Sequence, residues 1–138
     1  MKIEDYDEIY GLWAKCDGIT LRVIDDSKDG ILMFLKRNPN TNFVCRINGS
    51  IIGCILCGHD GRKGFIYHTV VKEDYRGKGI GTKLVGCAID SLKKENITKI
   101  GVFVNSDNLR GNNFWDLHGF KQQENLIYRI LPLNNSNF

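Results

Sequence analysis

The chain has 138 residues, 42% of them hydrophobic and 25% charged, with a formal net charge of +3. That supplies apolar material for one core, and no Pro/Gly/Ser-rich stretch divides it, so residues 1–138 read as a single domain. No apolar run approaches the roughly 20 residues of a membrane span, and the Lys and Arg residues are scattered among 16 acidic ones, which argues against membrane insertion and against nucleic-acid binding.

The first residues, Met1 to Asp7, are acidic where a signal peptide would be basic and then apolar, so the expected location is the cytoplasm. Tyr6, Ile9, Tyr10, Trp13 and Cys16 recur at helical spacing, with acidic residues toward the N-terminus where the helix dipole favours them. Asp17 to Asp26 reads as a loop, and Ser27 as the cap of a second helix burying Ile31, Phe34 and Leu35 until Asn38-Pro39 stops it. Phe43, Cys45 and Ile47 then alternate in a strand, Asn48-Gly49 makes a tight hairpin turn, and Ser50 to Gly58 continues as an almost wholly apolar strand. The loop His59 to Gly64 leads into a third strand, Phe65 to Val71. A third helix carries Ile80, Leu84, Val85, Ala88, Ile89 and Leu92 on one stripe. Ile97 to Val104 predicts a short strand, Ser106 or Asp107 a cap, and Gly119 the end of a helix running through Leu117; Leu126 to Leu131 predicts a last strand before a frayed tail.

Five cysteines, Cys16, Cys45, Cys54, Cys57 and Cys87, are spread through apolar segments, as expected of reduced, buried thiols. Cys54 and Cys57 have the spacing of half a zinc site. No second Cys or His pair completes it, and positions three apart on a strand face opposite ways, so core packing is expected and no metal site.

Between the third strand and third helix lies Val-Val-Lys-Glu-Asp-Tyr-Arg-Gly-Lys-Gly-Ile-Gly-Thr, Val70 to Thr82. Gly77, Gly79 and Gly81 let backbone approach a ligand closely, and the helix start offers unpaired N–H groups and positive dipole, so this turn predicts a phosphate-bearing ligand.

Arg76-Gly77-Lys78-Gly79-Ile80-Gly81 resembles the Gln/Arg-x-x-Gly-x-Gly/Ala signature of the GCN5-related N-acetyltransferases (GNAT). Downstream, Asn108 to Phe120 looks like that family's Asn-x-x-Ala-x-x-Phe-Tyr-x-x-x-Gly-Phe, and Cys57 to Gly64 with Tyr67-His68 is similar to its YpeA-like bacterial branch. The resemblance implies an α/β (α+β) fold, a central mixed, mostly antiparallel sheet flanked by about four helices. The family's N-terminal strand is short or missing here, since only Met1-Lys2-Ile3 precedes the first helix. A missing strand leaves a sheet edge that is either covered by a homodimer partner or left frayed.

The resemblance further implies acetyl-CoA as co-substrate and transfer of its acetyl group to a primary amine by direct attack on the thioester. The alternative is a non-catalytic acyl-CoA-binding module. The pantetheine arm is then expected along Thr69, Val70 and Val71, the pyrophosphate on Arg76, Gly77, Lys78, Gly79, Ile80, Gly81 and Thr82, and Asn108 on the pantetheine. Trp115 stands where many members have a tyrosine acid, and its indole cannot deliver a proton near neutral pH. Tyr67 and His68 are the candidate bases; which of them faces the cleft depends on whether the strand bulges. The family places the segment Asp17 to Ser27 at the acceptor mouth; Asp25, Asp26 and Asp29, in or just after it, are either attractors of a cationic amine or simply a charged helix entry.

Overall fold

The computed structural model describes residues 1–138. A 3₁₀ turn, Ile3–Asp5, opens into α1 (Tyr6–Ala14), and α2 spans Lys28–Arg37. Four strands and two helices follow: β1 (Phe43–Ile47), β2 (Ser50–His59), β3 (Gly64–Val71), α3 (Ile80–Lys94), β4 (Ile100–Val102) and α4 (Leu109–Leu117). The strands form one mixed sheet in the order β1-β2-β3-β4, antiparallel except for the parallel pair of β3 and β4. No strand precedes α1. No helix is long and apolar enough to cross a membrane.

Both faces of β2 are buried, which is why its sequence reads as a continuous apolar run. One face, with Ile55 and Cys57, packs on α3 through Leu84, Val85, Ala88 and Leu92 and on Trp115 of α4. The other, with Ile51, Cys54 and Leu56, packs on Ile9 and Trp13 of α1 and Ile31 and Leu35 of α2. Cys54 and Cys57 therefore sit in different halves of the core. Ser27 caps α2 as expected, its hydroxyl accepting the Gly30 N–H at 3.1 Å.

Three expectations are corrected. Cys87 is exposed, and Cys16 and Cys45 are only partly buried. The strand predicted at Ile97 begins three residues later, because the Ile97 N–H still donates to Leu92 O and Asn96 turns the helix end with φ +62°. Leu126–Leu131 forms no strand. Its residues are exposed and none of its backbone groups bonds to β4; the aromatic contact of Tyr128 with Phe103, centroids 4.2 Å apart, is what holds the segment beside the sheet. Beta propensity reflects fit to a pleated, half-buried surface, and β4 offers only three residues before the chain turns into α4. The end of the chain instead ties to the α1–α2 loop: Val23 N–H donates to Phe138 O, and both Ile24 and Asp25 N–H to Asn137 Oδ1.

Burial pushes the Cys54 and Cys57 thiols up from 9.0 to about 12. In the unfolded chain these thiols ionise near the ordinary value, so above it the unfolded state binds fewer protons than the folded one. Their contribution is fully present below about pH 9 and is lost as pH rises toward about 12. Urea midpoints should therefore fall across that window, and the fall should be shallower in a Cys54→Ala/Cys57→Ala variant.

Candidate active site

The site is made by two irregularities of β3. On its β2 side, Ile55 opposes Thr69 and Cys57 opposes Ile66, so Tyr67 and His68 together face Leu56. The extra residue is a β-bulge, which re-aims side chains locally. On its other side, β3 pairs with β4 only through Gly64, Phe65 and Ile66. Beyond Ile66 the strands part, and the β3 edge from Tyr67 to Val71 has no neighbouring strand. A cleft of about 570 Å³ opens there, walled by β3, the glycine turn, α4 and the α1–α2 loop.

At one end lies the glycine turn. Gly77 and Gly79 have φ of +76° and +80°, a left-handed backbone that a side chain would strain. Gly81 is there for space, since a Cβ on it would lie 3.1 Å from the Phe114 ring. No backbone N–H from Gly77 through Thr82 has a partner in the protein; the first helical bond of α3 is Lys83 N–H to Gly79 O at 3.1 Å. These free donors at the positive end of a 15-residue helix are the arrangement an anion requires.

The side chains expected here divide. Arg76 lines the cleft, and its Nε–H donates to Val71 O at 3.0 Å, bracing the turn against the end of β3. Lys78 lies outside the lining, its ammonium 5.4 Å from the centre of the Tyr75 ring. Thr82 lines it and pairs its hydroxyl with His118 Nε2 at 2.9 Å. Asn108 also lines it, but as the cap of α4: its Oδ1 accepts the Gly111 N–H at 2.9 Å. Its Nδ2 has no acceptor and faces Gly18, where a Cβ would lie 3.0 Å away. Trp115 is buried against Phe114 and Phe120.

At the other end stand the candidate bases. His68 Nε2–H donates to Asp26 Oδ1 at 2.7 Å, with side-chain exposures of only 14% and 6%, and Trp13 packs edge-on against the imidazole. Because a carboxylate only accepts, this bond sets the Nε2–H tautomer and leaves Nδ1, which has no protein partner, as the basic nitrogen. Asp26 is itself fixed: its Oδ2 accepts the Arg22 N–H at 2.7 Å and its carbonyl accepts from Tyr6 Oη at 2.8 Å. Tyr67 also lines the cleft, half-exposed between Phe34 and Phe65. Burial first, then nearby phenol and carboxylate charge, pushes its hydroxyl above the ordinary 10.0, away from useful proton exchange near neutral pH. His59 is engaged with Glu95 at 2.5 Å, remote from the cleft.

Several residues of the site carried no such assignment in the sequence. Asp26, read there as an attractor of a cationic amine or part of a charged helix entry, is not a lining residue, and only the fold brings it to His68. Arg22 and Arg110 line the cleft. Thr69 lines the cleft, but its hydroxyl is buried within the protein and has no partner there, a costly arrangement. The unpaired β3 edge and the row of free N–H groups fit a long thioester-bearing ligand with a pyrophosphate at its far end, such as acetyl-CoA.

Comparison with known proteins agrees. The Acetyltransferase (GNAT) family profile matches residues 6–120. An acetyltransferase of Sodalis glossinidius is 33% identical over 105 residues, 76% of this chain and 72% of that protein. Among solved structures, the PaiA N-acetyltransferase of Thermoplasma acidophilum in complex with coenzyme A superposes with a TM-score of 0.77 at 21% identity, over all of this chain and 92% of that one. A chain of the NatC complex bound to Gag peptide and CoA gives 0.72 at 27% identity, covering 88% of this chain and 79% of that one. The chain belongs to the GNAT acetyltransferase family and is an N-acetyltransferase that uses acetyl-CoA.

Proposed function

We propose that the protein moves an acetyl group from acetyl-CoA to a primary amine by direct attack, with His68 as general base and Asp26 as the residue that positions it. The observation that carries this reading is the buried Asp26–His68 bond at the bulge of β3, beside the edge where that strand parts from β4. Acetyl-CoA supplies an activated thioester carbonyl. The backbone of Thr69, Val70 and Val71 accompanies the pantetheine in the manner of an added strand, with Asn108 Nδ2 as a side-chain contact. The N–H groups of Gly77 through Thr82 hold the pyrophosphate, and Arg76 keeps the turn in register while adding charge. Lys78, whose ammonium lies outside the cleft lining, adds only longer-range attraction to phosphate.

His68 Nδ1 takes a proton from the incoming ammonium, which makes the nitrogen lone pair available, and a β3 N–H near Val70 donates to the carbonyl oxygen as charge develops there. No acid is assigned. Trp115 is packed in the core and cannot serve as one, and a thiolate with pKa near ~8.5 leaves without help. The free, reduced cysteines suit a cytoplasmic enzyme, and the β1 edge, paired on one side only, is the surface we assign to a homodimer. A single monomeric species in sedimentation velocity at high concentration would remove the dimer.

Thiol release from acetyl-CoA over an amine panel tests the activity. Binding of acetyl-CoA without release on any amine would instead favour a non-catalytic module. His68→Ala should lower kcat by ~10²–10⁴ while leaving CoA affinity intact. Asp26→Asn should lower kcat with little change in KM for acetyl-CoA and displace the acidic limb of the pH–rate profile, which a purely structural role would leave in place. Gly79→Glu sets a side chain at a left-handed position and a negative charge on the anion site. Calorimetry should show CoA affinity reduced by roughly 100-fold or more, and an unchanged value would move the phosphate site elsewhere.

A further inference from the structure

The charged lining of the cleft is one-sided. Arg22, Arg76 and Arg110 line it together with His68, and no aspartate or glutamate does. Arg76 belongs to the glycine turn, and Arg110 to the first turn of α4. Arg22 is on neither. It lies in the α1–α2 loop, and its side chain makes no ion pair and no hydrogen bond within the protein.

Its backbone, in contrast, is pinned. Asp26 Oδ2 accepts the Arg22 N–H at 2.7 Å while Oδ1 accepts from His68 Nε2 at the same distance. One buried carboxylate thus fixes both the base and the residue carrying the free guanidinium. No acidic group of the loop or of the first turn of α2 lines the cleft. Asp26 is committed to this pair, Asp25 Oδ2 accepts from Asn137 Nδ2 at 2.6 Å, and Asp17 and Asp29 are exposed outside the cleft lining.

We infer that the acceptor is an amine that also bears an anion, a carboxylate or a phosphate, a few bonds from the reacting nitrogen, and that Arg22 is the specificity residue that binds it. This rests on the reading of His68 as the base end of the cleft. A guanidinium offers a planar fork that matches either anion with two parallel N–H bonds. A polyamine would instead bring a second positive charge into a lining with no carboxylate to receive it.

The test is a matched acceptor series: amino acids, their carboxamides, the corresponding decarboxylated amines, and aminoalkyl phosphates. Each is assayed by thiol release, and its binding to the CoA-loaded protein is followed by saturation-transfer NMR. The wild-type protein should favour the carboxylate or phosphate member over its neutral counterpart by roughly 10- to 100-fold in kcat/KM, the effect of a hydrogen-bonded charge. Comparison of the two anionic arms identifies the anion. In Arg22→Ala that ratio should fall to about one through a raised acceptor KM, with acetyl-CoA affinity by calorimetry as the control for folding, and Arg22→Lys should restore part of it. Equal use of carboxylates and carboxamides by the wild-type protein, or a preference for decarboxylated amines, overturns the inference. So does an Arg22→Ala variant that weakens all acceptors in the same proportion. Failure of the base assignment looks different: no thiol release with any acceptor, while NMR still shows anion-selective binding that Arg22→Ala abolishes.

Discussion

Everything the site does depends on β3 keeping one partner and losing the other. Its pairing with β2 runs from Gly64 to Val71 and anchors the strand in the middle of the core. Its pairing with β4 ends at Ile66, which exposes a strand edge without exposing the strand's faces. An exposed edge is ordinarily a liability because it recruits other chains. Here the neighbouring glycine turn, α4 and the α1–α2 loop narrow the access, so what fits is a single extended ligand. The bulge at Tyr67 and His68 belongs to the same arrangement, since it shifts the alternation of side chains at the point where the ligand's reactive end would lie.

The glycine-turn end of the cleft was legible because its chemistry is local. Phosphate recognition uses backbone N–H groups, and the residues that free them, Gly77, Gly79 and Gly81, are adjacent in sequence to the helix that supplies the field. The three glycines act by different means, two through a left-handed backbone and one through the closeness of Phe114, yet all announce themselves as glycine. Asn108 was legible by its place in a motif, though not the use of its oxygen to cap α4. Helical and strand periodicity located the first three helices and the first three strands, because each buries apolar side chains, whereas α4 was placed by its end signals, with Asn108 and not Ser106 or Asp107 as the cap.

The acceptor end was illegible because it is assembled across the chain. His68 and Asp26 are 42 residues apart, and nothing near Asp26 distinguishes it from Asp25, which ends up bonded to Asn137. The last strand was misread on related grounds. Leu126 to Leu131 has the composition of a strand, but a strand exists only where another lends it a ladder, and β4 is finished by Val102. Short apolar runs record what a segment tolerates; whether a partner stands opposite is decided by the rest of the fold.

Asp26 shows how few contacts set the acceptor end. Its two carboxylate oxygens and its carbonyl oxygen are used on three different elements: β3 through His68, its own loop through Arg22, and α1 through Tyr6. The orientation of the imidazole is therefore coupled to the path of the loop. The loop is held in turn from outside by Asn137 and the Phe138 carbonyl on the residues just before Asp26. A buried carboxylate with one unmet oxygen would be expensive, so a shift of the loop that broke the Arg22 bond would also disfavour the state in which His68 carries the Nε2 proton. The orientation of His68 and the path of the α1–α2 loop are consequently not independent in this fold: residues that reshape the loop act on the proposed base through Asp26.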